Sequence, residues 1–469
     1  MNLENSIIDQ LSHNKLAMYW LRNGVISLAL AGVYSIILVM LRTPMLVNLF
    51  PNTEIFKSAL VVHVNLSILV WLISVTACIW SYNLQPTTSI ITYVILAFFG
   101  TALIALSPLC GQNFPVMNNY IPMLENIMFI LGISLFGVSV LLFSSNVILI
   151  GIKNLKNHKL INFTIFSTAI IWVLVWICFI CSYCQLQQVI KLVPVDIDFY
   201  YELLFWSGGH LLQFLYTQIL ILVMILLCQA WIGKELRFNK LYLGLLYLNF
   251  VISIAAIWGH LSYDIIDAEF KEYYTKQMKY GGGIVPTLSL VIMFYELATA
   301  NLNNITPSLL RWLTLPRNDT SLLRVNSNQV SYIKTSIICS SMLFLSGGFI
   351  GVLITGMNVT IPAHYHGSIV GISVAFMGFS FLLCDNVCDN KQRKNSYFSA
   401  AIITLTTGQM LHIIALLLAG GYGVLRKTPG AEMTIGSKLL MGIMGGGGLI
   451  AIVGGLMFVV ICGRKIFLK

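Results

Sequence analysis

Apolar stretches of about 20–30 residues alternate with short polar segments along the whole chain. They fall at roughly 20–44, 57–83, 88–109, 122–152, 161–188, 200–230, 241–263, 282–305, 333–357, 361–385, 397–421 and 437–462. A helix needs about 20 apolar residues to cross the hydrocarbon core of a bilayer, so each stretch predicts one crossing. The pattern therefore predicts an all-α integral membrane protein, a single domain of twelve transmembrane helices over 1–469. Nothing reads as a soluble domain, and no clear internal repeat supports an inverted-repeat transporter. The opening MNLENSIIDQLSHNK is polar, and residues 1–19 read as a cytoplasmic amino-terminal tail rather than a cleavable signal peptide.

Composition agrees with the pattern. The chain is 58% hydrophobic and 9% charged, against about 25% charged in soluble proteins. The net charge of +10 does not point to nucleic acid, because the basic residues are spread among short loops. Their distribution does predict orientation. With the amino terminus inside, the inner loops hold Lys153, Lys156 and Lys159, then Lys234, Arg237 and Lys240, and later Lys391, Arg393 and Lys394. On the outer side Lys271, Lys276 and Lys279 are mixed with Asp264, Asp267, Glu269 and Glu272. Both termini are thus expected inside, in a bacterial cytoplasmic membrane with lipid as the surrounding partner.

Ionisable side chains inside a membrane are costly and usually functional, and the histidines stand out. His13 and His158 read as ordinary surface residues in the tail and a basic loop. His63, His210, His260, His364 and His366 fall at similar depth, in the outer third of spans two, six, seven and ten, with His412 of span eleven somewhat deeper. One such histidine reads as a packing residue; five at one depth on four helices read as ligands, because neutral imidazole binds haem iron and copper. Each helical residue turns by about 100°, so His364 and His366 face roughly opposite flanks of span ten. They cannot share one ion, but each can hold a metal on its own side. The run Cys178, Cys181 and Cys184 reads as small buried residues on a helix, with a metal site as the alternative. There is no C-x-x-C-H motif for covalent haem.

With these residues the chain resembles subunit I of the haem-copper oxidase superfamily, which includes respiratory oxidases and nitric oxide reductases. The resemblance covers nearly the whole chain, and the H-x-H of span ten is its most specific motif. It implies that His63 and His366 bind a low-spin haem from both sides and that His364 is the single axial ligand of a high-spin haem open to O₂ or NO. By the same resemblance His210, in Trp206-Ser-Gly-Gly-His210, and His260 would bind a second metal, copper or non-haem iron. Arg426 and Lys427, in GGYGVLRKTPG, would hold haem propionates. Electrons would come from a donor subunit, cytochrome c or a quinol system. Glu296 is a candidate for proton entry. Glu125 and Glu202 stand near the outer ends of their spans, close to expected propionates or product exit, and His412 is read as packing, with a propionate or haem edge as the alternative.

Two positions depart from the family pattern. Span seven carries Gly259 before His260 where the family has adjacent histidines. Phe214 stands where oxygen reducers have a tyrosine and nitric oxide reductases a glutamate. Tyr263, just after His260, is the candidate substitute phenol. A repurposed membrane haemoprotein without the second metal is therefore an alternative to the full reductase, and a twelve-span transporter without haem is a third reading.

Overall fold

A computed structural model describes residues 7–42, 53–156, 159–310, 327–354, 358–387, 396–421 and 435–467. Among them are twelve helices long and apolar enough to cross a membrane, which makes the chain an all-α membrane protein. The spans are Lys15–Leu41, Glu54–Asn83, Thr88–Leu109, Ile127–Asn154, Lys159–Val189, Ile197–Ile232, Asn239–Ser262, Ala268–Thr299, Val330–Val352, Thr360–Val387, Tyr397–Gly421 and Ile435–Phe467. Spans six, ten and two are the most enclosed, with 94%, 78% and 72% of their apolar stretches buried. These three carry His210, the His364–His366 pair and His63, so the histidines of interest lie at the centre of the bundle and not on its lipid face.

Helix ends follow local chemistry. Asn126 and Asp196 cap spans four and six by accepting the first free backbone N–H groups. Gly233, at φ 75°, ends span six in the left-handed conformation that glycine adopts without strain. Neighbouring spans approach closely where both are small. A Cβ on Gly100 would stand 2.7 Å from the Gly132 carbonyl, and one on Gly447 would stand 2.7 Å from that of Gly408.

Two boundaries differ from the sequence expectation. The described part of the 1–19 segment is a short helix, Ile7–His13, followed by the start of span one at Lys15. Leu11 is fully buried, and Asn14 ties the junction down by donating to the carbonyls of Ser81 and Leu84. Span eight starts at Ala268, well before the expected 282, because 268–276 is an amphipathic helix that buries Phe270 and Tyr274 and leaves its charges outside. It joins the rest of span eight through a π-helical turn at Gln277–Gly282. A second π-helical turn, Asn65–Val70, follows His63 within span two; such turns recur at functional sites.

Between spans three and four the chain forms a small hairpin, Pro115–Val116 against Met123–Leu124. Asn118 closes its turn: its side-chain oxygen accepts from the N–H groups of Tyr120 and Ile121, and its amide donates back to the Ile121 carbonyl. The hairpin lays Tyr120 against span six, where Gly209 has no Cβ to block the ring.

Candidate haem cavity and its histidines

A cavity of about 2430 Å³ opens within the bundle. Sites for drug-sized ligands run about 300–1,000 Å³, so this one has room for more than one large group. His63, His210, His364, His366 and His412 all line it. Glycines line it too: a Cβ on Gly283, Gly348, Gly442, Gly445 or Gly446 would meet nothing within 4 Å. Helix packing does not require these glycines, and their effect is to leave the cavity broad.

His63 and His364 share one geometry. The Nδ1 of His63 donates to the Ala31 carbonyl of span one at 2.9 Å. The Nδ1 of His364 donates to the Gly347 carbonyl of span nine at 2.7 Å. Both bonds fix the tautomer with the proton on Nδ1, so Nε2 keeps its lone pair. Among the described residues neither Nε2 makes a hydrogen bond. Imidazoles that ligate metals commonly give their other N–H to a carbonyl in this way. Gly351 makes the His364 arrangement possible, since a Cβ there would stand 2.6 Å from the imidazole.

His366 leaves span ten on the other flank. Its ring packs edge-on against His412 of span eleven, with centroids 4.8 Å apart, and its backbone carbonyl accepts from Gln409. His364 therefore faces span nine and His366 faces span eleven, as the i, i+2 spacing predicts. His412 itself donates from Nδ1 to the Met444 carbonyl.

The two histidines expected to share a second metal are not brought together as ligands. His210 lines the large cavity, but its Nδ1 lies 2.7 Å from the Trp206 carbonyl and its Nε2 lies 2.9 Å from the Tyr120 hydroxyl. His260 lines a separate small cavity with Cys178, Cys181, Cys184 and Gln185. Its ring nitrogens meet Ser207 at 2.9 Å and Gln185 at 3.3 Å. Tyr274 packs against both imidazoles, with centroids 5.8 and 6.1 Å away. A Cβ on Gly259 would stand 2.6 Å from the Tyr274 hydroxyl, so a larger residue there requires that ring to move. Among the described residues no three of His, Cys, Asp and Glu stand together as a metal cluster. As arranged here, both ring nitrogens of His210 and of His260 meet other polar groups.

Other expected residues sit as follows. Phe214 is buried and turned away from the cavity, and span six presents Gln213, Tyr216 and Thr217 to it instead. Tyr263 packs on Tyr273 and does not line the cavity. The carboxylate of Glu296 accepts from the backbone N–H groups of Arg237 and Phe238 at 2.8 and 3.0 Å, which pins the turn between spans six and seven. Glu202 pairs with Lys271 at 2.6 Å, and Lys271 lies over the Trp206 ring. Arg426 and Lys427 lie outside the described residues. Three lysines that the sequence reading did not connect with the site, Lys57, Lys279 and Lys438, line the large cavity.

Tyr120 was also not anticipated. Burial raises the pKa of its phenol, and the charge of Glu202 adds to this, while a hydrogen bond from Gln213 opposes it. The phenol thus stays protonated at neutral pH and donates to His210.

Fold and site together define a twelve-span, all-α membrane protein with a central histidine-lined cavity. No protein-family model matches the chain. It is 48% identical to the uncharacterized protein RP382 of Rickettsia prowazekii (strain Madrid E), over 97% of this chain and 96% of that one, and it belongs to the same family. It is also 25% identical to an uncharacterized protein of Aquifex aeolicus (strain VF5), over 78% of this chain and 83% of that one.

Proposed function

We propose that the chain is a two-haem membrane oxidoreductase subunit that resembles haem-copper oxidase subunit I in its haem scaffold but lacks the second metal. One observation carries this reading: His63 and His364, on different spans, each give Nδ1 to a backbone carbonyl and line one cavity that glycines keep open. His63 and His366 would hold one haem and His364 the other. Haem would supply one-electron transfer and the binding of a small diatomic such as O₂ or NO.

The protein's own part is to bind, orient and exclude. The Ala31 and Gly347 carbonyls fix the two imidazoles in the ligating tautomer. Lys57, Lys279 and Lys438 supply cations for carboxylates entering the cavity. Spans two, six and ten, which carry these histidines, are the most buried of the bundle. Loop charge supports an orientation with both termini inside, the membrane would be a bacterial cytoplasmic one, and electrons would come from a donor subunit, cytochrome c or a quinol system.

Reduced-minus-oxidised spectra of the purified protein, with and without CO and with metal analysis, test the reading. Two haems per chain, one of them CO-reactive, and no copper or non-haem iron are expected. One copper or non-haem iron per chain beside two haems would instead favour the full oxygen or nitric oxide reductase. A chain without haem would favour the transporter.

A further inference from the structure

We propose that Cys178 and Cys181, with His260 as a third donor, form a binding site for a soft monovalent cation, Cu(I), apart from the large cavity. Packing alone would bury all three thiols of the C-x-x-C-x-x-C run. Instead Cys178 is buried, Cys181 is half-buried and Cys184 is exposed. All three line one cavity of about 240 Å³ between spans five and seven, with His260 and Gln185 as its other polar residues. Two contacts join thiol and imidazole into one cluster. Nε2 of His260 lies 2.9 Å from the Ser207 hydroxyl, and Cys178 is hydrogen-bonded to that same hydroxyl.

The pitch of the helix selects the ion. Residues three apart, such as Cys178 and Cys181, are about 4.5 Å apart along the axis and about 60° around it, whereas Cys178 and Cys184 are about 9 Å apart. Thiolate–metal bonds are about 2.3 Å long, so two sulfurs on one ion stand at most about 4.6 Å apart. One ion therefore reaches two neighbouring thiols but not all three, and among the described residues no three such donors converge. Structural zinc takes four ligands and is not satisfied here. Soft thiolates select Cu(I), an ion that is stable with only two or three ligands.

The imidazole has one nitrogen to offer. Nε2 makes the short contact, to Ser207, while Nδ1 meets the Gln185 amide at 3.3 Å, beyond the usual range of such bonds. With its proton on Nε2 and donated to Ser207, the ring keeps its lone pair on Nδ1. That side faces the cavity, where Gln185 forms part of the wall and Ser207 does not. Metal-bound imidazoles commonly give their other N–H to an oxygen in this way. Each thiol that binds Cu(I) loses one proton to water, and no electron is transferred. Cys184, the exposed thiol of the run, receives the ion and passes it to Cys181.

The thiol site is independent of the haem reading, and the test keeps the two apart. The full chain is reduced, stripped with a Cu(I) chelator and loaded anaerobically with Cu(I) in competition with bicinchoninate. Haem content is read by absorbance in the same samples. One Cu(I) per chain is expected, with sulfur in its first shell by X-ray absorption at the copper edge. Copper held by His210 in the large cavity would show nitrogen without sulfur. Cys178→Ser and Cys181→Ser should each weaken binding by more than the roughly 10–100-fold that loss of outer-shell support costs. His260→Ala should weaken it less and remove nitrogen from the shell. Cys184→Ser should slow loading and leave affinity in place, and haem content should be the same in every variant. A wild-type chain that takes up no Cu(I), or takes it up without a sulfur shell, would overturn the proposal and needs no variant. So would unchanged affinity in a folded protein carrying both Cys178→Ser and Cys181→Ser.

Discussion

The Nδ1 of His364 lies 2.7 Å from the carbonyl oxygen of Gly347, one span away, and the bare Cα of Gly351 gives the imidazole room to reach it. Gly351→Ala places a methyl group 2.6 Å from that ring. The expected result is loss of the hydrogen bond and a fall of about tenfold or more in occupancy of the CO-reactive site, the scale of lost outer-shell support. The CO difference spectrum reads this, and the low-spin bands should stay in place.

His366 and His412 touch, but they have different expected roles. His63→Ala and His366→Ala should each remove the same low-spin band, because one iron needs both ligands. His412→Ala should keep the band and shift it slightly. A protein that loses the band with His412 but not with His366 would place the ligand on span eleven.

The glycines divide into two kinds. Gly408 and Gly447 meet each other's backbones, whereas Gly445 and Gly446 of the same span meet nothing. Gly447→Leu should therefore break the contact between spans eleven and twelve and lower protein yield. Gly445→Leu and Gly446→Leu should leave the fold intact and reduce haem per protein. Size-exclusion profiles together with haem-to-protein ratios distinguish the two outcomes.

Glu296 accepts two backbone N–H groups while buried. Glu296→Ala leaves both donors unpaired and should cost about 3 kcal/mol of stability. Glu296→Gln, which keeps one acceptor oxygen, should cost less. Thermal unfolding reads the difference, and the rate of any proton-linked reaction should follow the stability of the variants. A large rate loss in a Glu296→Gln protein of normal stability would restore the role in proton entry.

Much of the fold is legible in the sequence because long apolar runs have one explanation in a membrane. The flank assignment of His364 and His366 is legible too, since two residues on one unbroken helix have a fixed angular relation. The orientation of His260 was not legible. Span seven breaks at Ala255 into helices 239–254 and 256–262, so depth along the chain does not give direction around the axis. The early start of span eight was hidden by Lys271, Glu272 and Lys276, which read as loop although Glu272 and Lys276 pair along a helix face. Tyr120 lies in a hairpin without helical periodicity, and only the fold brings it to His210. The glycine cradle has a visible signal in MGIMGGGGL, but packing glycines and cavity glycines look alike until their neighbours are known.

The central claim is that this cavity holds two haems on opposite flanks of span ten. The reduced-minus-oxidised spectrum of the purified full chain, recorded with and without CO, tests it most directly. The account predicts two haems per chain, one of them CO-reactive, with His364→Ala losing the CO response and His366→Ala losing the low-spin band. A purified, folded protein with no haem absorption, or one in which neither substitution changes the spectrum, would contradict it.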